Sequence, residues 1–180
     1  MHEIETKILE IDVKAVKEKL KTLGAEKILE ERLIVDWYGP KGLTHDGDDP
    51  WYLRVRKTSD GKSEISWKSL GKFVGNTRQS KEINISVSDF EHTKSLLEAI
   101  GLEHYAHQEK DRISFTLKNW NFDLDQYPKM PAYLEVEGTS HEHVQEAIKL
   151  LNLENHKSVG EGERVLIKKE YKLDWCNMRF

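Results

Sequence analysis

In seven separate segments of the chain, charged or polar and apolar side chains alternate, and many of the charges sharing a face come as like pairs, E-x-E, D-x-D or R-x-R. The first is HEIETK, with Glu3, Glu5 and Lys7 on one parity and Ile4, Thr6 and Ile8 on the other. The same pattern sets Arg54 and Arg56 against Leu53 and Val55, and Glu64, Ser66 and Lys68 against Ile65 and Trp67. It continues with Glu82 and Asn84, Lys110 and Arg112, Asp123 and Asp125, and Glu135 and Glu137, each pair opposed by apolar neighbours. A period of two places alternate side chains on opposite faces of a strand. One such strand alone reads as half-buried, with its polar face in water. As a set, E-x-E, D-x-D and R-x-R pairs are less mixed than a solvated face usually is.

Helices are too few to cover a wide open sheet made of these strands. DVKAVKEKLKTLG places Val13, Val16, Leu20 and Leu23 on one helical face, with Asp12 as N-cap and Gly24 past the end. Two later segments repeat the design. Ser88 with Glu91 reads as a capping box ahead of Phe90, Leu96, Leu97 and Ile100, and Thr139 with Glu142 as another ahead of Val144, Ala147, Ile148 and Leu151. Each helix follows a strand with an E-x-(E or N) core, in the manner of a degenerate repeat. Strands outnumber helices by more than two to one, so the chain, read as a single domain over residues 1–180, is α+β with a mostly antiparallel sheet.

An open sheet this wide leaves edges unprotected. Closure into a barrel removes them, with apolar residues outward beneath the helices and charges inward around a cavity of both signs. Buried charge is strongly disfavoured unless it is partnered, so the lining implies its contents. Clustered carboxylates suit a hard divalent cation, Mg²⁺ or Mn²⁺ before zinc, because no cysteine pair or convergent histidine pair is present. Clustered Arg and Lys suit phosphate oxygens. A polyphosphate bridged to the carboxylates by metal ions satisfies both.

The totals exclude other classes. A net charge of −4 gives no footprint for nonspecific binding to nucleic acid or an anionic membrane. No apolar run reaches the length of a membrane span and no signal-peptide pattern opens the chain, so a cytoplasmic location is expected. The single cysteine, Cys176, allows neither an internal disulfide nor a Cys-based zinc site. His45-Asp46-Gly47-Asp48-Asp49 lacks the spacing of a calcium loop and reads as a solvated turn. His104 and His107 read as an incidental pair, and Gly160-Glu161-Gly162, with no third glycine and no helix expected after it, is not a phosphate loop. Trp51, Trp67, Trp120 and Trp175 read as packing residues or caps on the barrel.

In order along the chain, Glu3-Ile4-Glu5-Thr6-Lys7, Leu53-Arg54-Val55-Arg56, Ser66-Trp67-Lys68, Lys81-Glu82, Lys110-Asp111-Arg112, Phe122-Asp123-Leu124-Asp125 and Tyr133 to Gly138 resemble the motifs of the CYTH family, the triphosphate tunnel metalloenzymes. That family includes class IV adenylyl cyclases and thiamine triphosphatases. The resemblance implies a closed antiparallel barrel of about eight strands, a size able to hold a ligand, that binds a triphosphate-containing small molecule with Mg²⁺ or Mn²⁺. By motif position Glu3, Glu5, Asp123, Asp125, Glu135 and Glu137 hold metal, with Asp125 alternatively orienting a neighbour. Lys7, Arg54, Arg56, Lys68, Lys110 and Arg112 hold phosphate, and Glu82 has no assigned role. A basic segment, RVLIKKEY, read as a strand, adds Lys168. In related triphosphatases a lysine and a tyrosine are held to act together, and Lys68 and Tyr38 are the nearest counterparts, although WYGP departs from the usual acidic turn at that place.

These motifs are shared by hydrolases and cyclases. Hydrolysis requires only a water, whereas cyclisation also needs an adenine pocket, of which the sequence shows no sign. The expected activity is therefore a metal-dependent triphosphatase acting on tripolyphosphate, thiamine triphosphate or a nucleoside triphosphate. The alternatives are an adenylyl cyclase making cyclic AMP and pyrophosphate, and a non-catalytic polyphosphate- or nucleotide-binding module. A homodimer is left open.

Overall fold

The computed structural model describes residues 2–42 and 49–180. Its elements run β1 (His2–Ile8), α1 (Val13–Thr22), β2 (Glu26–Pro40), β3 (Trp51–Thr58), β4 (Ser63–Ser69), β5 (Lys72–Val74), β6 (Thr77–Val87), α2 (Phe90–Ala99), β7 (Leu102–Leu117) and β8 (Trp120–Gln126). They continue with β9 (Tyr133–Gly138), α3 (His141–Leu150), β10 (Ser158–Val159), α4 (Glu163–Tyr171) and β11 (Asn177–Met178). The His45–Asp48 part of the acidic turn lies outside the described residues.

Neighbouring strands pair antiparallel in the order β1-β9-β8-β7-β2-β3-β4-β6, and β6 returns to pair with β1. The result is the expected closed eight-stranded barrel. Closure joins the first strand to both ends of the order: Glu5 stands opposite Glu137 on one side and Arg78 on the other. β5 pairs with β6 as a short flap, β10 extends β1, and β11 runs parallel to part of β7.

Apolar faces point outward, beneath the helices. Val16 and Leu20 of α1 and Val144, Ala147 and Ile148 of α3 pack on Ile8, Phe122, Leu134 and Val136. Phe90 and Leu97 of α2 cover Tyr38 and Val55. A third cluster sits on the inner face instead: Leu166 and Ile167 of α4 pack with Leu33, Val35 and Trp37, which stand opposite Lys110, Arg56 and Arg54, and with Trp175 and Met178. Fully burying each such side chain contributes about 1.5–3 kcal/mol; the first two clusters hold the barrel from its outside, and the third fills part of the interior beneath α4, leaving the rest of the inner face to carry charge. Among the described residues no helix is long and apolar enough to cross a membrane.

Helix starts differ from the sequence reading in two places. Asp12 caps α1 as expected, accepting from the Lys14 and Ala15 amides. The cap of α2 is Asp89, accepting from His92 N at 2.8 Å, instead of Ser88. The cap of α3 is Ser140, accepting from His143 N at 3.1 Å, instead of Thr139. In both cases the neighbour one position later is also a good capping residue, and the residue expected to cap, Ser88 or Thr139, forms the bend between strand and cap. RVLIKKEY is the helix α4 and not a strand. Arg164, Leu166 and Ile167 are the buried positions of that single apolar side, and a helix does follow Gly162.

Candidate active site

The inward faces of the barrel strands surround a cavity of about 540 Å³. Alternation on β1, β9 and β8 sets Glu3, Glu5, Lys7, Glu137, Glu135 and Asp123 along one side. Arg54, Arg56, Lys68, Glu82 and Asn84 from β3, β4 and β6 face them, and Arg112 enters from β7.

These groups are paired in a connected network. Lys7 Nζ lies 2.9 Å from Glu135 and 3.1 Å from Glu5. Lys68 Nζ contacts Glu3 and lies 3.5 Å from both Glu5 and Glu82. Arg112 makes a two-pronged contact with Asp125, both bonds 2.6 Å, and also meets Asp123 and, at 3.5 Å, Glu135. Arg56 binds Glu64 at 2.9 Å. Arg54 is more loosely held, 3.7 Å from Glu82 and 3.8 Å from Glu163.

Electrostatics divide the cavity. Burial and then the neighbouring Glu5 push the Glu3 carboxyl up to about 9, with Glu82 and Glu135 adding to the shift. Burial raises Glu137 as well, aided by Glu135 and Glu5. Glu5 is the opposite case: burial would raise it, but Lys68, Lys7 and Arg78 together hold it well below the usual carboxylate range. Across the cavity, burial and the adjacent Arg54 and Arg112 guanidinium groups lower the Arg56 pKa. One wall thus carries more carboxylate charge than its cations settle and calls for a cation, while the arginine group calls for an anion.

Not every expected residue reaches this space. Lys110 and Asp125 face inward but are covered: Lys110 Nζ bonds Asp125 at 2.8 Å and also Glu163, and neither lines the cavity. Asp125 bonds both Lys110 and Arg112, the contacts that the second of the two roles considered for it requires. Lys168 is exposed on α4 and absent from the lining, while Arg164 and Lys169 of the same helix do line it. The strand reading had put the wrong residue inward. Tyr38 lies on the outer face of β2, 1% exposed beneath α2 and 5.4 Å from the His104 ring, and so is separated from Lys68 by the barrel wall.

Several cavity residues escaped the sequence reading. Trp37, next to Tyr38, lines the cavity from β2, and Tyr52 lies opposite Lys68 in the β3–β4 register. Arg78 bonds the Glu5 carboxylate. Its side chain has room only because two neighbours are glycines: a Cβ on Gly71 would stand 2.6 Å from Arg78 Cδ, and one on Gly162 2.9 Å from its Nη1. Glu163 comes from α4, and Asn121 donates to Glu137 at 3.1 Å. One signal could have found Arg78: it lies four residues before Glu82 on β6, on the same parity as Glu82 and Asn84.

The signature of the CYTH domain matches residues 1–166. The chain belongs to the CYTH domain family. No curated protein matches it. Among solved structures, the PH1012 protein of Pyrococcus horikoshii OT3 is similar at 24% identity, covering 86% of this chain and 94% of that one, with a TM-score of 0.72. An adenylate cyclase candidate from Vibrio parahaemolyticus is 16% identical, covering 87% and 93%, with a TM-score of 0.72. An adenylyl cyclase candidate from Hippeastrum, described as having a dominant triphosphatase activity, is 13% identical, covering 93% and 96%, with a TM-score of 0.65. At these identities the likeness concerns the fold.

CYTH membership implies dependence on a divalent metal. The donors present fit that requirement: Glu3, Glu5, Glu135, Glu137 and Asp123 are all oxygen ligands, and the burial and like charge that raise Glu3 are what a hard cation offsets. Among the described residues no three acidic, histidine or cysteine side chains stand ready to hold an ion as placed. Lys7 and Lys68 stand between the carboxylates and pair with them.

Proposed function

We propose that this CYTH protein is a triphosphatase dependent on Mg²⁺ or Mn²⁺, hydrolysing the terminal phosphoanhydride bond of a triphosphate. One observation carries the reading: a carboxylate wall and a guanidinium wall from different strands face each other across one enclosed space. When bound, the metal supplies Lewis-acid neutralisation of phosphoryl oxygens. Glu3, Glu5, Glu135, Glu137 and Asp123 are the residues to hold it.

The chain's own cations do the rest. Arg54, Arg56 and Arg112 bind phosphate oxygens and orient the chain, with Lys7 beside them. Burial alone would lower the Lys68 pKa, but Glu5 and Glu3 more than compensate and keep it protonated. Lys68 then places a fixed positive charge where negative charge grows on the bridging oxygen as water adds to the terminal phosphorus and the P–O bond breaks. Cyclisation of ATP would require in addition that the ribose hydroxyl be posed at the α-phosphorus, whereas hydrolysis needs only a water.

The test is purified protein with Mg²⁺ or Mn²⁺ against ATP, GTP, thiamine triphosphate and tripolyphosphate, with phosphate and cyclic nucleotide both assayed. Phosphate release without cyclic nucleotide is expected. Cyclic AMP as the main product from ATP identifies a cyclase instead. Tight binding without either product identifies a binding module.

A further inference from the structure

Lys110 belongs by parity to the inward cations, yet it does not border the cavity, and the reason lies on α4. Glu163, in the first turn of that helix, inserts its carboxylate among the groups otherwise suited to phosphate. Its Oε1 accepts from Lys110 Nζ and, at 3.4 Å, from the Tyr133 hydroxyl, while its Oε2 lies 3.8 Å from Arg54. The side chain is 10% exposed. A carboxylate therefore already occupies the anion position at the α4 end of the cation row.

We infer that Glu163 is a specificity-determining residue, a fixed internal anion that ends the phosphate site and sets the length of polyphosphate admitted. This rests on the triphosphate-binding reading above. Two features keep Glu163 in place. Withdrawing it would leave the fully buried Lys110 ammonium with Asp125 alone, a costly exposure of buried charge. The helix turn that carries it is also pinned: Arg164 bonds Asp49 at 2.9 Å and lies 4.0 Å over the Tyr52 ring, and Leu166 and Ile167 are buried. A phosphate chain held by Arg54, Arg56 and Arg112 that extended one more unit toward α4 would meet a negative charge that does not retreat. Like charges at such distances in a protein interior repel strongly.

The test compares binding of inorganic tripolyphosphate and tetrapolyphosphate by calorimetry with Mg²⁺ present, with released phosphate assayed in the same samples. Wild-type protein is expected to bind the triphosphate about tenfold more tightly than the tetraphosphate, and Glu163→Gln to narrow the ratio to about threefold or less. Thermal unfolding confirms that the variant is folded. If it is not, Glu163→Asp, which retracts the charge by one methylene and keeps a partner for Lys110, is expected to shift the ratio in the same direction. Equal binding of both chains by the wild type, or an unchanged ratio in the folded variant, overturns the inference while leaving the triphosphate site standing. Equal tightening of both also overturns it, because Glu163 would then be a counter-ion that substrate displaces. Binding of neither polyphosphate by the wild type removes the triphosphate reading itself.

Discussion

Arg78 on β6 stands directly opposite Glu5 on β1 and donates to its carboxylate, at the seam where the barrel closes. Its guanidinium thus fixes the orientation of a proposed metal ligand that also contacts Lys7 and Lys68. Arg78→Ala is expected to weaken Mn²⁺ binding about 10–100-fold, the usual cost of losing a group that orients a ligand. Gly71→Val should reproduce part of the loss by crowding the Arg78 stem. Mn²⁺ titration by calorimetry checks both, and unchanged affinity in Arg78→Ala would show that Glu5 needs no such support.

Glu135→Ala, Glu137→Ala and Lys68→Ala are each expected to lower kcat by about 100-fold or more, because each removes charge from the reacting centre. The fold should survive, since sites of this kind commonly trade stability for function. Steady-state phosphate release with thermal unfolding alongside provides the check. Full activity in all three would reject the site.

Tyr38 faces away from the cavity beneath α2. Tyr38→Phe is expected to leave kcat within about twofold, while Tyr38→Ala, by opening a cavity in the outer core, should destabilise the protein by about 3–5 kcal/mol. A large loss of turnover in a stably folded Tyr38→Phe protein would contradict this placement.

Asp36, on the same outer face, links β2 to α2 through Lys94 at 2.8 Å and to β7 through His107 at 2.6 Å. Burial would raise its pKa, but the hydrogen bonds from Lys94 and His107 outweigh it and hold the carboxyl below the usual range. A depressed folded pKa stabilises the protein above the unfolded value of about 3.9, and that contribution disappears as pH falls through the lower folded value. Tm measured from pH 6 down to pH 3 should therefore drop more steeply for the wild type than for Asp36→Asn. Parallel curves would show that the link contributes nothing.

Clean alternation made the barrel and most of its lining legible in the sequence, because a period of two leaves each inward residue only one choice of face. Where alternation lapses, so does legibility. In VDWYGP every residue could face either way, and the β2–β3 register, with Trp37 opposite Arg54 and Tyr38 opposite Leu53, settles which one enters. TRQSKE offers polar residues on both parities, so Arg78 emerges only when the alternation of Glu82 and Asn84 is counted back to the start of β6. RVLIKKEY is short, with Val165 and Ile167 two apart in the manner of a strand, and Gly162 gives no side-chain cap to announce a helix. Glu163 was hidden for the same reason.

The seam between β1 and its two partners has a temporal consequence. Glu3 and Glu5 lie far ahead in the chain of β9, the strand paired beside them, which ends at Gly138. Contacts so distant along the chain form slowly because a long loop must close first. Until then the first strand has an unsatisfied edge, and no catalytic pocket exists even in part, so acquisition of activity during refolding should coincide with the slowest phase of assembly.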